Sequence, residues 1–191
     1  MLHSDQCIVE IRVFMDPIST LNPENLWVYL AQIASQLGHS ARVMTLASVD
    51  STGLPQARSV ILREVEPWLL RIYTDSRSPK VEQIQANPDT QLVLWDAERR
   101  WQLRFSARGH ILEDRAIVEA LWQSIAQSRS AQDYLGAQPP GEIVQPGAAE
   151  RLEPALAVLE FDVREVDWLA LDPKGHNRQR LTPEGGQALV P

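Results

Sequence analysis

Cysteine, histidine and glycine are scarce in this chain, which has one, four and nine of them in 191 residues. The single cysteine, Cys7, excludes an intramolecular disulfide, and the four scattered histidines give no zinc-binding cluster. The glycines form neither a G-x-G-x-x-G motif nor a P-loop, and no serine lies in a G-x-S-x-G motif. The sequence therefore predicts no metal site and no hydrolase chemistry, and Cys7 is interpreted as a structural residue.

Long apolar runs and a positive net charge are also missing. No apolar run approaches the roughly 20 residues that span a bilayer. The first residues also lack the basic, apolar and small-residue segments that follow one another in a secretory signal. The net charge of −7 argues against nucleic-acid binding. We therefore expect a cytoplasmic protein with neither a membrane nor a nucleic-acid partner.

The length and the 44% apolar content suit a single domain over residues 1–191, with a core at about 22–181. Residues 128–150 are rich in proline, glycine and small polar residues, which predicts a long loop that serves a site or a partner. Residues 182–191 are expected to form a tail with little structure unless it packs on the body.

Three helices are predicted from caps and apolar spacing. The first begins at the N-cap Asn22 and ends at Gly38, and its core-facing residues are Leu26, Leu30, Ile33 and Leu37. The second runs from Pro79 to Asn87. The third covers 113–126 and is expected to bury Ile117, Leu121 and Ile125.

Alternating and β-branched patterns predict six strands, at 43–49, 54–63, 68–74, 91–95, 100–111 and 158–171. In the fifth strand, apolar side chains from Trp101 to Ala107 alternate with polar ones, so one face belongs to the core. The polar face suits solvent, a ligand cleft or a subunit contact equally well. An antiparallel β fold with peripheral helices results, and such folds commonly close into a barrel.

One short unit carries the parts of a phosphate site. Arg58 lies on the second strand, and Ser78, Pro79 and Lys80 begin the second helix, where a good N-cap, a first-turn proline and a cation adjoin free backbone donors. A helix N-terminus attracts phosphate. From Arg58 to Arg108 there are nine basic and seven acidic residues in an otherwise acidic chain, so the local charge also suits a small anion.

Several blocks in a fixed order resemble a known family. They are 46–50 with Gly53 and Pro55, 58–63, 73–75, Ser78-x-Lys80, 83–88, and Arg100-x-Gln102 with Arg104. This pattern is similar to the pyridoxamine 5′-phosphate oxidase-like family of FMN-binding split barrels, over about residues 43–110 and more weakly over 168–191. The resemblance implies a mainly β (α+β) fold with a six-stranded antiparallel split β-barrel and peripheral helices.

The resemblance also implies a cofactor, FMN, and a homodimer that binds it at the subunit interface. Arg58, Lys80 and Ser78 would hold the FMN phosphate, and Gln102 would bond the polar edge of the ring. Arg63 would lie near the pyrimidine end, where a cation stabilises reduced flavin. The full set of implied cofactor residues is Arg58, Ser59, Val60, Ile61, Leu62, Arg63, Tyr73, Thr74, Ser78, Lys80, Gln102, Trp168 and Arg178.

Departures from the oxidase pattern concern the phosphate and substrate positions. Pro79 stands where the oxidases have an arginine that contacts the FMN phosphate. Whether Arg77 takes over that contact is left open by the sequence. On the substrate side Arg129, Lys174 and His176 match. Ile125 replaces a tyrosine, and Asp133 replaces a serine and would repel a substrate phosphate.

The expected function is therefore an FMN-dependent oxidoreductase that transfers hydride to flavin N5. Its small-molecule substrate is unknown, pyridoxine phosphate is a poor candidate for it, and no residue is named as acid or base. A flavin-binding or sensor module without turnover is the alternative, because altered substrate positions would produce that too. A third possibility is a pocket that has lost FMN and holds another anionic ligand.

Overall fold

Eight antiparallel strands run through the described part of this computed structural model, which comprises residues 21–144 and 154–191. The strands are β1 (Val43–Val49), β2 (Pro55–Glu66), β3 (Leu69–Asp75), β4 (Asp89–Asp96), β5 (Trp101–Ile111), β6 (Leu156–Ala170), β7 (Asn177–Thr182) and β8 (Gly185–Leu189). The six predicted strands are all present. The predictions for Cys7, for residues 1–20 and for 145–150 of the long loop lie outside the described residues.

Six of the strands close into a barrel in the order β3-β2-β1-β4-β5-β6, because β6 also pairs with β3. The long strand β6 makes this possible. Its first half pairs with β3 from Leu156 to Asp162, and its second half pairs with β7 from Val166 to Ala170. The predicted six-stranded antiparallel split barrel is thereby confirmed, with β7 and β8 as an added hairpin.

In this part of the chain three α-helices lie around the barrel: α1 (Pro23–Ser35), α2 (Pro79–Ala86) and α3 (Arg115–Ile125). Two 3-10 helices cover Ser40–Arg42 and Arg129–Tyr134. Asn22 caps α1 by accepting hydrogen bonds from the backbone of Glu24 and Asn25, as the sequence predicted. The helix ends at Ser35 and not at Gly38, so Leu37 lies beyond it and is 88% exposed.

The barrel interior is filled by alternate residues of each strand. On β5 the predicted core residues Trp101, Leu103, Phe105 and Ala107 are all buried. On the opposite face Arg104 forms an ion pair with Asp167 of β6, with 3.6 Å between Nη1 and Oδ2. The predicted alternation of β5 is therefore confirmed.

The prediction that α3 buries its apolar face is wrong for this chain, since no residue of α3 is buried. Ile117 is 47% exposed, and Leu121 and Ile125 are half-buried. The helix packs on β6 through only a few contacts, and Trp122 meets Tyr134 of the long loop edge-on, with 6.4 Å between ring centroids.

The expected tail is ordered, because residues 185–189 form β8 and pair with β7. The turn between these strands uses Gly185 at φ +142°, a conformation that other residues avoid. The predicted long loop also contains structure, since its 3-10 helix buries Ala131 and Tyr134. This 3-10 helix packs on β3 and brings the loop to the mouth of the barrel.

Candidate functional site

A cavity of about 240 Å³ opens between β2, β3, the start of α2 and the long loop. Its lining residues are Ser59, Val60, Ile61, Arg63, Tyr73, Thr74, Asp75, Lys80, Asp133, Tyr134 and Pro140. Seven of them, from Ser59 to Lys80 without Asp75, were predicted as cofactor residues. The antiparallel pairing of β2 with β3, in which Leu62 lies opposite Ile72, brings these two short segments of sequence together.

Two cations converge beside this cavity with only neutral partners. Lys80 Nζ lies 2.9 Å from Thr74 Oγ1 and 2.5 Å from Ser78 Oγ. Arg58 donates to Ser48 Oγ at 2.5 Å and to Gln83 Oε1 at 2.7 Å. We call Arg58, Lys80, Thr74 and Ser78 the cation cradle.

The electrostatics of the cation cradle favour an anion. Burial lowers the pKa of Lys80, the charge of Arg58 lowers it further, and Asp75 opposes this change. Burial also lowers the pKa of Arg58. Two partly buried cations with no carboxylate in salt-bridge contact are costly alone, and a bound phosphate would relieve that cost.

The side chain of Ser78 plays a different part from the one its position suggests. Ser78 occupies the N-cap position of α2, but its hydroxyl makes no capping hydrogen bond. The hydroxyl accepts from Lys80 instead. Ser78 is buried, so it fixes the ammonium group at the wall of the cavity.

Arg77 does not replace the arginine that is missing at Pro79. Its guanidinium donates to both oxygens of Asp75, at 3.0 Å from Nε and 2.6 Å from Nη2. It also donates to the backbone oxygens of Gly136, at 2.9 Å, and Ala137, at 3.5 Å. Arg77 therefore holds the long loop against the end of β3.

Arg63 lies among aromatic side chains at the cavity wall. Its guanidinium carbon is 5.7 Å from the ring centroid of Tyr73, which is within the range of a cation–π contact. Its Nε is buried without a hydrogen-bond partner. Burial raises the pKa of the neighbouring Tyr134, while Arg63 opposes that change.

Tyr134 and Asp133 complete the wall from the long loop, and sequence analysis did not predict Tyr134 as a site residue. A signal was present, because Tyr134 is an aromatic residue in an otherwise small and polar segment. Such a side chain has a strong tendency to be buried. In the structure it is 3% exposed, which fixes Asp133 beside it.

Other predicted residues lie away from the cavity. The side chains of Leu62 and Trp168 belong to the core and are fully buried, and Trp168 meets Trp101 edge-on at 5.2 Å. Trp168 therefore has no surface for a ligand in this chain. Arg129 is exposed on the 3-10 helix, and Lys174 and His176 are exposed in the turn between β6 and β7.

Gln102 and Arg178 lie on the outer face of the barrel. Arg178 donates to both carboxylate oxygens of Asp167, at 2.9 and 2.7 Å. A cross-strand row on this face runs outward from the cavity residue Ile61, and its members in order are Ile61, Val43, Trp95, Gln102, Leu169 and Arg178. Val43 and Trp95 are the neighbours of the paired residues Met44 and Leu94, which connects the two parts of the row. At roughly 4.8 Å per strand, Gln102 lies about 14 Å from Ile61 along the sheet.

A second cavity, of about 660 Å³, lies under α3 and is lined by residues such as Glu113, Glu119 and Trp122. It contains no predicted cofactor residue and no unpaired pair of cations. Among the described residues no cluster of histidine, cysteine and carboxylate side chains could hold a metal. Within the same residues no helix is long and apolar enough to cross a membrane.

Comparison with known proteins connects this geometry to a family. The family model for pyridoxamine 5′-phosphate oxidase matches residues 31–169. The chain belongs to the pyridoxamine 5′-phosphate oxidase family. The match covers β1 to β5 completely and β6 up to the residue before its last one, Ala170.

A relative and two solved structures agree with this family assignment. The chain is 31% identical over 164 residues to a pyridoxine/pyridoxamine 5′-phosphate oxidase of Ruegeria sp. (strain TM1040), covering 85% of this chain and 73% of that protein. A pyridoxamine 5′-phosphate oxidase-related, FMN-binding protein of Nostoc punctiforme PCC 73102 aligns with a TM-score of 0.70 and 23% identity, over 93% and 99% of the two chains. PhzG from Burkholderia lata 383, in complex with tetrahydrophenazine-1-carboxylic acid, aligns with a TM-score of 0.71 and 19% identity. This alignment covers 93% of this chain and 98% of that chain. The two structures share the fold of this family member.

Proposed function

We propose that this member of the pyridoxamine 5′-phosphate oxidase family binds FMN and acts as an oxidoreductase. One observation carries the proposal: Arg58 and Lys80 converge beside the cavity and have only neutral hydrogen-bond partners. A phosphate monoester supplies the missing negative charge and accepts several hydrogen bonds at once. The donor set of the cradle, two cations and two hydroxyls, suits that group.

The cavity residues would hold the remainder of FMN beside the cradle. Ser59 to Ile61 line one wall and would lie along the ring, while Tyr73 and Thr74 would contact the ribityl chain. Arg63 would lie at the pyrimidine end, where its charge favours the reduced ring. When bound, FMN supplies a hydride acceptor at N5, and the chain supplies binding, orientation and charge.

The size of the cavity supports a site to which a second chain contributes. Its 240 Å³ is smaller than the roughly 300 to 1,000 Å³ of sites that enclose a ligand of this kind. Ile61 lines the cavity and also begins the outer row, in which Val43 is 48% and Trp95 45% exposed. Adjoining apolar side chains of this size mark an interaction surface.

A homodimer would cover this outer face and complete the site. Gln102 and Arg178 lie on that face, three and five strands away from Ile61, so they would reach the cofactor of the other copy and not that of their own chain. This arrangement accounts for two predicted cofactor residues that one chain leaves apart.

A flavin-binding module without turnover is the second candidate, because neither tyrosine of the cavity would serve as a general base. Burial and the hydrogen bond to Glu64 raise the pKa of Tyr73, and burial raises that of Tyr134. Both hydroxyls therefore stay protonated at neutral pH and make poor general bases. Hydride transfer from a substrate that needs no base remains open to this site.

The visible spectrum of the purified protein tests the proposal. We expect a flavin spectrum, either as purified or after addition of FMN, and bleaching under anaerobic conditions on addition of a reduced nicotinamide or pyridoxamine. A flavin spectrum that no donor bleaches supports the binding module. A protein that stays colourless and refuses FMN contradicts both candidates.

A further inference from the structure

Four charged side chains line the cavity: Arg63, Lys80, Asp75 and Asp133. Lys80 belongs to the cation cradle, and Asp75 is neutralised by two hydrogen bonds from Arg77. Arg63 and Asp133 therefore remain as the charges that a second small molecule would meet. The carboxylate of Asp133 is negative, so the substrate side of the cavity is less suited to an anion than the cation cradle is.

Asp133 is a free carboxylate in a fixed position. Within residues 21–144 and 154–191 it takes part in no ion pair and no hydrogen bond, and its charge acts on the hydroxyl of Tyr134. Its neighbours Ala131 and Tyr134 are buried. The backbone oxygen of Tyr134 also accepts from the backbone of Ala155 at 2.8 Å. The 3-10 helix thus holds the carboxylate at the cavity wall.

Arg63 does not neutralise Asp133. The two side chains both act on Tyr134, with opposite signs, yet no ion pair joins them within the described residues. Tyr134 therefore interacts with two charges that are not paired with each other. A small molecule at this wall meets an unpaired carboxylate whichever way it is turned.

Apart from Lys80 of the cation cradle, Arg63 is the one cation among the described residues that lines the cavity, and it is not paired with Asp133. Arg129 is on the same 3-10 helix, but it is exposed and does not line the cavity. Asp133 is exposed, and a phosphate placed beside it would bring two like charges together at the cavity wall. An ammonium group at that place would gain a charge-assisted hydrogen bond.

We infer that Asp133 determines substrate specificity, and that the substrate carries an ammonium group and no phosphate monoester. The inference rests on the proposed function, since it assigns the second ligand of the same site. It concerns one side chain of the long loop, and the cofactor residues on β2, β3 and α2 are separate from it.

The test uses three probes that share one ring and differ in one group: benzylamine, benzyl alcohol and benzyl phosphate. Each is titrated into the FMN-loaded protein, and binding is followed by the change in flavin absorbance. We expect the wild type to bind benzylamine at least about tenfold more tightly than benzyl phosphate. The isosteric variant Asp133→Asn should lose that preference, and its affinity for benzyl phosphate should rise about tenfold.

The control variant is Asp162→Asn, because Asp162 is a well-exposed carboxylate on β6 outside the cavity. It should keep the preference of the wild type. The inference is overturned if the wild type prefers benzyl phosphate, if Asp133→Asn keeps the preference for the amine, or if no probe binds at 10 mM or below.

Loading with FMN is measured first and separates the two proposals. If FMN does not bind, the proposed function fails, and the same titrations are followed by calorimetry on the cofactor-free protein. The preference between amine and phosphate then still decides the role of Asp133. If FMN binds equally to the wild type and to Asp133→Asn, any change in probe affinity belongs to the substrate side of the cavity.

Discussion

The guanidinium of Arg77 donates two hydrogen bonds to the carboxylate of Asp75, two residues earlier in the chain, at 3.0 and 2.6 Å. Asp75 is buried and lines the cavity, and Arg77 also holds the backbone oxygens of Gly136 and Ala137. This pair therefore connects the barrel, the cavity and the long loop through one side chain.

Replacement of Arg77 should destabilise the protein and loosen the loop. Arg77→Met leaves the buried carboxylate of Asp75 unpaired, so we expect a loss of about 2 to 3 kcal/mol in the free energy of unfolding. Urea unfolding measures it. The double variant Asp75→Asn with Arg77→Met should recover part of the loss, because it removes the unpaired charge. A single variant as stable as the wild type would contradict the role of this pair.

The cation cradle predicts a large effect on FMN affinity. Arg58→Ala and Lys80→Ala each remove one charge-assisted contact, which corresponds to about 2 to 3 kcal/mol of binding free energy. Quenching of FMN fluorescence measures the affinity. Arg164→Ala is the matched control, because Arg164 is an exposed arginine on β6 whose carboxylate partner, Asp89, is also exposed. Unchanged affinity in both cradle variants would place the phosphate elsewhere.

The outer face of the barrel predicts a link between assembly and cofactor binding. Trp95→Glu puts a charge into the row that joins Ile61 to Gln102, so we expect the variant to run as a monomer in light-scattering chromatography and to bind FMN more weakly. Val190→Glu, at a position that is 88% exposed and outside this row, should change neither property. A monomeric wild type that binds FMN fully would contradict the shared site.

The turn between β1 and β2 predicts a dependence of stability on acid. Asp50 accepts hydrogen bonds from the side chain of Thr52 and from the backbone of Thr52 and Leu54. These hydrogen bonds lower the pKa of Asp50 from 3.8 to about 2, and the bond from the Thr52 side chain has the largest effect. Because the folded pKa is lower than the unfolded one, the contribution is complete above about pH 4 and is lost as the pH falls towards 2.

Unfolding at two pH values measures this contribution. At pH 6 the variant Asp50→Asn should be less stable than the wild type, and at pH 2 the difference between them should shrink. An equal difference in stability at both pH values would show that the charge of Asp50 does not stabilise the folded protein.

Local pattern was enough to predict most of the barrel. Period-two alternation identified the core face of β5, and the signals at Asn22 and Pro79 identified the starts of α1 and α2. The cavity residues of β2 and β3 followed from the family resemblance, because short ordered blocks fix both the strand pair and the positions that line the cavity. These are properties of neighbouring residues in the chain.

Features that depend on tertiary packing were less accessible. The stripe of α3 has helical spacing, but spacing does not tell whether another element covers it. Among the described residues no element buries it. Trp168 was included among the cofactor residues from the family resemblance, and in the structure Val166 and Trp168 alternate with Asp167 and share the core face. Strand β8 carries two glycines and depends on β7 for its hydrogen bonds.

Strand β6 closes the barrel by pairing with β3 and β5, and this has a consequence for biosynthesis. All of the strands from β1 to β5 are translated before this segment, and until residues 156–170 leave the ribosome the sheet ends in two free edges, at β3 and at β5. Closure needs contacts between residues as far apart in sequence as Leu69 and Asp162, which slows folding. The nascent chain therefore passes through a stage in which open strand edges invite aggregation, and a chaperone would have most to protect at that stage.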